Sequence, residues 1–198
     1  MDPLNFKLIK ASPEYQDVFN NLMQFYYYDF SEYLRYDVEP DGLFPPYPGL
    51  EDYWKSENEK FPYVIKKEAN YVGFVLVKHI NSSEENYFSI AEFFILRKYR
   101  REGIGKAVAV QIFDLHKGKW EVYQKESNKP AQLFWNKTIS DYTNGRFAER
   151  RENGRFIQSF ENFWSHYYSG NISFLHDGRN NGNRGCTVVK QPNTSLLR

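Results

Sequence analysis

One stretch limits what this chain can become: IAEFFILRKYRREGIGKA, residues 90–107. Its first seven residues are apolar except for Glu92, the pattern of a strand covered on both faces. From Ile104 onward the apolar residues fall at Ile104, Val108, Ile112 and Leu115, the spacing of a helix face. At the change of period sit Gly103 and Gly105, one residue apart and behind Arg100 and Arg101. A strand, a sharp turn and a helix are therefore implied. Glycine permits positive φ and lets a backbone come close to a ligand. A helix start offers unpaired N–H groups and the positive end of its dipole. The turn is thus an anion site suited to a pyrophosphate. Each hydrogen bond to a charged oxygen contributes about 1.5–3 kcal/mol, and the dipole about 0.3–1 kcal/mol.

Two common diphosphate motifs fit this turn poorly. A Walker loop needs four residues between its first glycine and its Gly-Lys pair, then Ser or Thr. Here Gly103-Ile104-Gly105-Lys106 has one, and Ala107 follows. A dinucleotide fingerprint needs a third glycine where this chain has Val108. The net charge of +1 gives no reason to expect nucleic acid or an anionic membrane as partner. The lone Cys186 excludes an internal disulfide framework and a cysteine-rich zinc site. His79, His116, His166 and His176 lack metal-ligand spacing, so no metal is expected. MDPLNFKLIK has no signal-peptide pattern, and no apolar run approaches the ~18 residues that span a bilayer. A cytoplasmic protein is the expectation.

The rest of the chain supplies a frame. Phe6 to Lys10 reads as a strand. Ser12-Pro13-Glu14 opens a helix whose stripe is Tyr15, Val18, Phe19, Leu22, Phe25 and Tyr26. The prolines of PDGLFPPYPGL forbid a helix and imply an irregular loop, with a short helix from Leu50 to about Ser56. Strands over 61–66 and 71–80 flank a Glu68-Ala69-Asn70 turn. Trp120 to Gln124 is a further strand, and Pro130 to Ile139 a helix. Phe147 to Arg151 and Arg155 to Phe160 flank Asn153-Gly154, a two-residue hairpin turn. One domain over 1–165 is expected, followed by an Asn-, Gly- and Arg-rich tail, 166–198, outside the core.

The spacing Arg100-x-x-Gly103-x-Gly105 resembles the acyl-CoA signature of the GNAT acetyltransferases, Q/R-x-x-G-x-G/A. IAEFFILRKYRREGIGKA follows that family's fourth strand, turn and third helix, and WEVYQKESNKPAQLFW its fifth strand and fourth helix. Asn128 and Trp135 fall where the family has an Asn and a Tyr. The resemblance covers roughly residues 5 to 160. It implies an α/β fold with a mixed, mostly antiparallel central sheet flanked by helices, whose fourth and fifth strands splay apart around acetyl-CoA. On the same ground the backbone of Phe93, Phe94 and Ile95 would pair with the pantetheine arm. Arg100 and the turn formed by Arg101, Glu102, Gly103, Ile104, Gly105 and Lys106 would hold the pyrophosphate. Asn128 would bond further along the cofactor, and Trp135 would wall its channel.

The activity implied is acetyl transfer to a primary amine, on a small molecule or a protein, by direct attack. The amine must first lose a proton to a base. Glu92, an acid inside an apolar strand, is the candidate, because burial raises a carboxyl's proton affinity. Trp135 departs from the family's tyrosine, and an indole is no useful proton source at neutral pH. Tyr123 and Tyr142 are the candidates for protonating the leaving thiolate. The departure also keeps open a non-catalytic acyl-CoA-binding module with the same fold. For the acceptor, Tyr26, Tyr27, Asp29 and Glu32 offer aromatic faces and acids suited to a cation. The oligomeric state stays open, with a homodimer among the arrangements allowed.

Overall fold

In the computed structural model, residues 4–163 are described. The expected tail, with His166, His176 and Cys186, lies outside them. The chain runs β1 (Lys7–Lys10), a 3-10 turn at Pro13–Tyr15, α1 (Gln16–Phe30), α2 (Asp52–Lys55), β2 (Lys60–Lys67), β3 (Asn70–Asn81) and β4 (Asn86–Ile95). After a second 3-10 turn at Arg97–Tyr99 come α3 (Ile104–Leu115), β5 (Lys119–Lys125), α4 (Lys129–Thr143), β6 (Ala148–Glu152) and β7 (Arg155–Glu161). Together the strands form a seven-stranded sheet in the order β1-β2-β3-β4-β5-β7-β6. All neighbours are antiparallel except β4 and β5. This is the α/β architecture, with a mostly antiparallel sheet flanked by helices, that the sequence implied.

One apolar layer lies where α3 and α4 pack on the sheet, around Ile112, Phe113, Trp120 and Trp135. The other lies where α1 and α2 pack, around Phe19, Met23, Tyr53 and Phe74. β3 serves both, with Val75 and Val77 in the first layer and Phe74 and Leu76 in the second. Every residue from Val72 to Val77 is buried, and such strands lose alternation. Each large side chain fully removed from water, Phe19 for example, contributes about 1.5–3 kcal/mol.

Two turns follow their residues closely. At the tip of the β6–β7 hairpin Asn153 and Gly154 both have positive φ, 49° and 72°, as a two-residue type I′ turn requires. The β2–β3 hairpin closes over Glu68 and Ala69, with Lys67 opposite Asn70 and Glu68 at φ 54°. Two expectations about helix faces need correction. Phe25 and Leu115 were placed on the buried stripes of α1 and α3, yet both are exposed. Met23 fills the inward position on α1. At the end of α3, His116, four residues after Ile112, turns inward instead and bonds the Tyr63 hydroxyl at 2.8 Å. Burial holds its imidazole down at about 4, so it is neutral at ordinary pH. Helix α4 runs to Thr143, four residues past the expected end, and closes on Asn144 at φ 53°.

The feature that positions the site is how β4 leaves β5. The two pair at only two positions, Phe88 with Trp120 and Ser89 with Glu121. Just beyond, the β3–β4 register shifts: Val77 faces Ile90 but Leu76 faces Glu92, so Ala91 is an extra residue in β4. Such a bulge bends and twists its strand. From Ile90 onward no strand among the described residues pairs with the outer edge of β4. On the inner edge Gly73 of β3 lies so close that a Cβ there would stand 1.9 Å from the Phe94 carbonyl oxygen. The Phe94 carbonyl thus lies on the β3 side, as does the Leu96 N–H, which donates to the Val72 carbonyl at 2.8 Å, and alternation leaves the main chains of Phe93 and Ile95 for the outer edge.

Candidate functional site

The turn after β4 carries the backbone that its glycines allow. Arg101 and Gly103 both have positive φ, 64° and 86°, and Gly103 is the residue that caps α3. The first helical bond there runs from the Ala107 N–H to the Gly103 carbonyl, at 3.1 Å. No acceptor among the described residues takes the N–H groups of residues 101 to 106. Six consecutive main-chain donors thus surround the start of a three-turn helix, a ready anion cradle. Gly105 faces Phe134 of α4, where a Cβ would make ordinary contact at 3.4 Å.

The charged side chains of this turn are mostly engaged with acids. Lys106 pairs with Asp141 at 2.6 Å, and Glu102 with Lys67 at 3.2 Å. Arg100 pairs with Asp29 and also donates from Nε to the Ile95 carbonyl at 2.6 Å. Arg97 reaches the same Asp29 at 2.8 Å. Arg101 makes no ion pair among the described residues. Asp29, read from the sequence as a contact for the acceptor, therefore joins the end of α1 to the turn after β4. Glu32 is exposed just past that helix.

Glu92 stands one residue past the bulge, on the face covered by α1 and α2. Tyr26 of α1 donates its hydroxyl to one carboxylate oxygen, and Tyr47 donates to the other at 2.8 Å. Burial raises the Glu92 carboxyl above the usual carboxylate range, while the two phenols and Lys78 pull it back. Burial, then the Glu92 charge, raises the phenols of Tyr26, Tyr47, Tyr53 and Tyr123, so all stay protonated at neutral pH. Tyr27, on the same helix as Tyr26, is pushed up to about 12. The result is one carboxyl that accepts from two phenols, with two more phenols close enough to feel its charge. The Tyr53 hydroxyl is buried without a partner among the described residues.

Of the other residues singled out, Tyr123 is on β5 and exposed, with the Arg155 guanidinium 4.7 Å above its ring. Tyr142 belongs to the α3–α4 layer: it packs on Phe113 and donates to Asp114 at 3.0 Å. Asn128 caps α4, its side-chain oxygen accepting from the Ala131 N–H at 3.1 Å. Trp135 is buried edge-on to Phe93, ring centres 5.1 Å apart. The sequence reading missed Tyr47 and Tyr53, which come from the proline-rich loop and the short helix after it. The one signal for Tyr47 was an aromatic residue within a loop rich in proline.

Residues 15–139 match the family described as Acetyltransferase (GNAT) family. Among solved structures, the PaiA N-acetyltransferase of Thermoplasma acidophilum in complex with coenzyme A is 13% identical, with TM-score 0.56 over 79% of this chain and 99% of that one. The aminoglycoside acetyltransferase meta-AAC0020, from an uncultured soil metagenomic sample and in complex with trehalose, is 16% identical, with TM-score 0.56 over 77% and 95%. Naa50 of Arabidopsis thaliana, bound to the bisubstrate analogue CoA-Ac-MVNAL, is 14% identical, with TM-score 0.52 over 79% and 99%. At such identities the likeness concerns the fold alone. No curated protein matches the chain in sequence. No helix among the described residues is long and apolar enough to cross a membrane. The match over 15–139 nevertheless spans well over half of the 198 residues, on a sheet whose fourth and fifth strands part, and the chain belongs to the GNAT family of acetyltransferases.

Proposed function

We propose that this protein is an acetyl-CoA-dependent N-acetyltransferase that acylates a primary amine by direct attack. The observation that carries the reading is the Glu92 carboxyl, held between two phenols on the strand whose outer edge opens toward β5. The chain fits the cofactor. Six amides at residues 101 to 106 suit a pyrophosphate, and the outward main chain of Phe93 and Ile95 suits the amides of a pantetheine arm. When bound, acetyl-CoA supplies the activated acyl group and a thiolate leaving group.

The work of the chain's own residues follows. Glu92 takes a proton from the acceptor amine, which cannot attack as an ammonium. Its raised proton affinity suits that task at neutral pH. Tyr26 and Tyr47 keep the carboxylate fixed in the meantime. The Ile95 N–H, on the β4 edge that no described strand pairs, would donate to the oxygen that gains charge in the transition state. Tyr123 would be the residue to supply the proton a thiolate leaving group needs: its phenol is far more acidic than the Trp135 indole and lies near enough to feel the Glu92 charge. The acceptor would enter beside Tyr47, whose ring is only partly buried and favours an organic cation; Tyr26, Tyr27 and Tyr53, the first two expected from the sequence to touch it, are buried in the α1–α2 layer and back that surface. Asp29 is a scaffold in this reading, through its pairs with Arg97 and Arg100.

The test is thiol release from acetyl-CoA over a panel of small amines and peptide N-termini, with melting temperatures in CoA, ATP and NAD. Acyl transfer with at least one amine, and a melting temperature raised by CoA alone, is expected. Tight CoA binding with no turnover on any amine would favour a non-catalytic CoA-binding module instead.

A further inference from the structure

The segment between α1 and α2, residues 31–51, contains no helix or strand, yet it delivers the Tyr47 hydroxyl to a half-buried carboxylate. What fixes it is local. Gln24 of α1 donates from Nε2 to the Phe44 carbonyl at 3.1 Å and accepts the Phe44 N–H at Oε1 at 2.8 Å. One side-chain amide thereby satisfies both polar groups of one backbone residue, as a paired strand would. The Phe44 ring packs against Tyr27, centres 5.8 Å apart, so the clamp and the aromatic contact act at one point. Tyr47 follows three residues later.

We propose that Gln24 is a positioning residue for the reaction: by clamping the Phe44 backbone to α1 it places the Tyr47 hydroxyl on Glu92. The proposal rests on the reading of Glu92 as the base. The groups facing Glu92 come from every neighbouring element. They are Tyr26 and Tyr27 of α1, Tyr47 of the clamped segment, Tyr53 of α2, Lys78 of β3 and Tyr123 of β5. Among these only Tyr26 and Tyr47 donate hydrogen bonds to the carboxylate, and Tyr26 is already held on a regular helix. Tyr47 is the donor whose place depends on a loop. Because a bond to the ionised form stabilises it, losing the Tyr47 bond moves the Glu92 titration upward. The limb of the kcat/KM profile on which the base loses its proton moves with it.

The experiment is the pH profile of acetyl transfer for wild type, Tyr47→Phe, Gln24→Met, Gln24→Ala and the Tyr47→Phe/Gln24→Met double variant. Glu92→Gln runs beside them. Tyr47→Phe is expected to raise the acid limb by about one pH unit. Gln24→Met and Gln24→Ala should move it the same way, and the double variant should match Tyr47→Phe alone. An unmoved limb in both Gln24 variants, or full additivity in the double variant, overturns the proposal. If Glu92→Gln keeps the limb, the base reading falls. The clamp is then judged by a crystal structure of Gln24→Met, which overturns it if Tyr47 still lies in hydrogen-bond range of Glu92 and supports it if Tyr47 has left.

Discussion

The two walls of the gap beside β4 are made of different material. The wall at residues 101 to 106 is main chain: unengaged amides, two positive φ values and a helix start, with most nearby charged side chains paired to acids. The wall around Glu92 is side chain: four phenols, drawn from α1, the loop after it, α2 and β5, and one carboxyl. Main-chain donors bind any phosphate and are hard to remove by point mutation. Side-chain donors can be tuned or exchanged one at a time. A fold that keeps its cofactor and varies its acceptor would put the fixed function on the first wall and the variable one on the second.

Substitutions can break that contrast, and the largest effect is expected at the side-chain wall. Glu92→Gln should lower kcat about 10²–10⁴-fold while leaving CoA affinity within twofold, as calorimetry and steady-state rates would show together. The main-chain wall should yield only to a change that alters backbone. A Cβ at Gly103 would meet nothing closer than Leu4, at 3.7 Å, so the strain of Gly103→Val comes from its φ of 86° alone. That strain, about 1–2 kcal/mol, should weaken CoA binding roughly tenfold with kcat at saturation little changed. Arg101→Ala removes an exposed charge and no amide, so CoA affinity should fall less than about fivefold. Smallest is Tyr53→Phe. It deletes a buried hydroxyl that has no partner among the described residues, so stability should be unchanged or rise by about 1 kcal/mol in urea unfolding. A large loss of turnover in Tyr53→Phe at unchanged stability would instead place that hydroxyl on the acceptor.

The same contrast explains what could be read from the sequence. The main-chain wall is built by neighbours in the chain, so Arg100, Gly103, Gly105 and the helical spacing after them suffice to place it. The strands, the hairpins at Glu68-Ala69 and Asn153-Gly154, and the parting of β4 from β5 follow from period, turn residues and the family pattern those residues resemble; the β5-β7-β6 order in the sheet does not. The side-chain wall depends on contacts across 45 and 66 positions, from Tyr47 and Tyr26 to Glu92. Nothing in the proline-rich loop announces which of its aromatics will turn inward. That choice is made by Gln24, whose two bonds reach 20 residues ahead. Asp29 shows the same limit: an acid beside aromatics suggests a ligand for a cation, and its partners turn out to be Arg97 and Arg100.

Two rungs, at Phe88 and Ser89, are all that stitch one half of the sheet to the other. Past them β4 keeps an edge with no described strand beside it, on which Arg100 already holds the Ile95 carbonyl. Edges elsewhere in proteins invite a stray strand, and this one is shielded because α3 and α4 close over one side of it. A guest bearing amides of its own would complete the ladder, so the filled protein should resist unfolding more than the empty one, as a zip does once its last teeth engage.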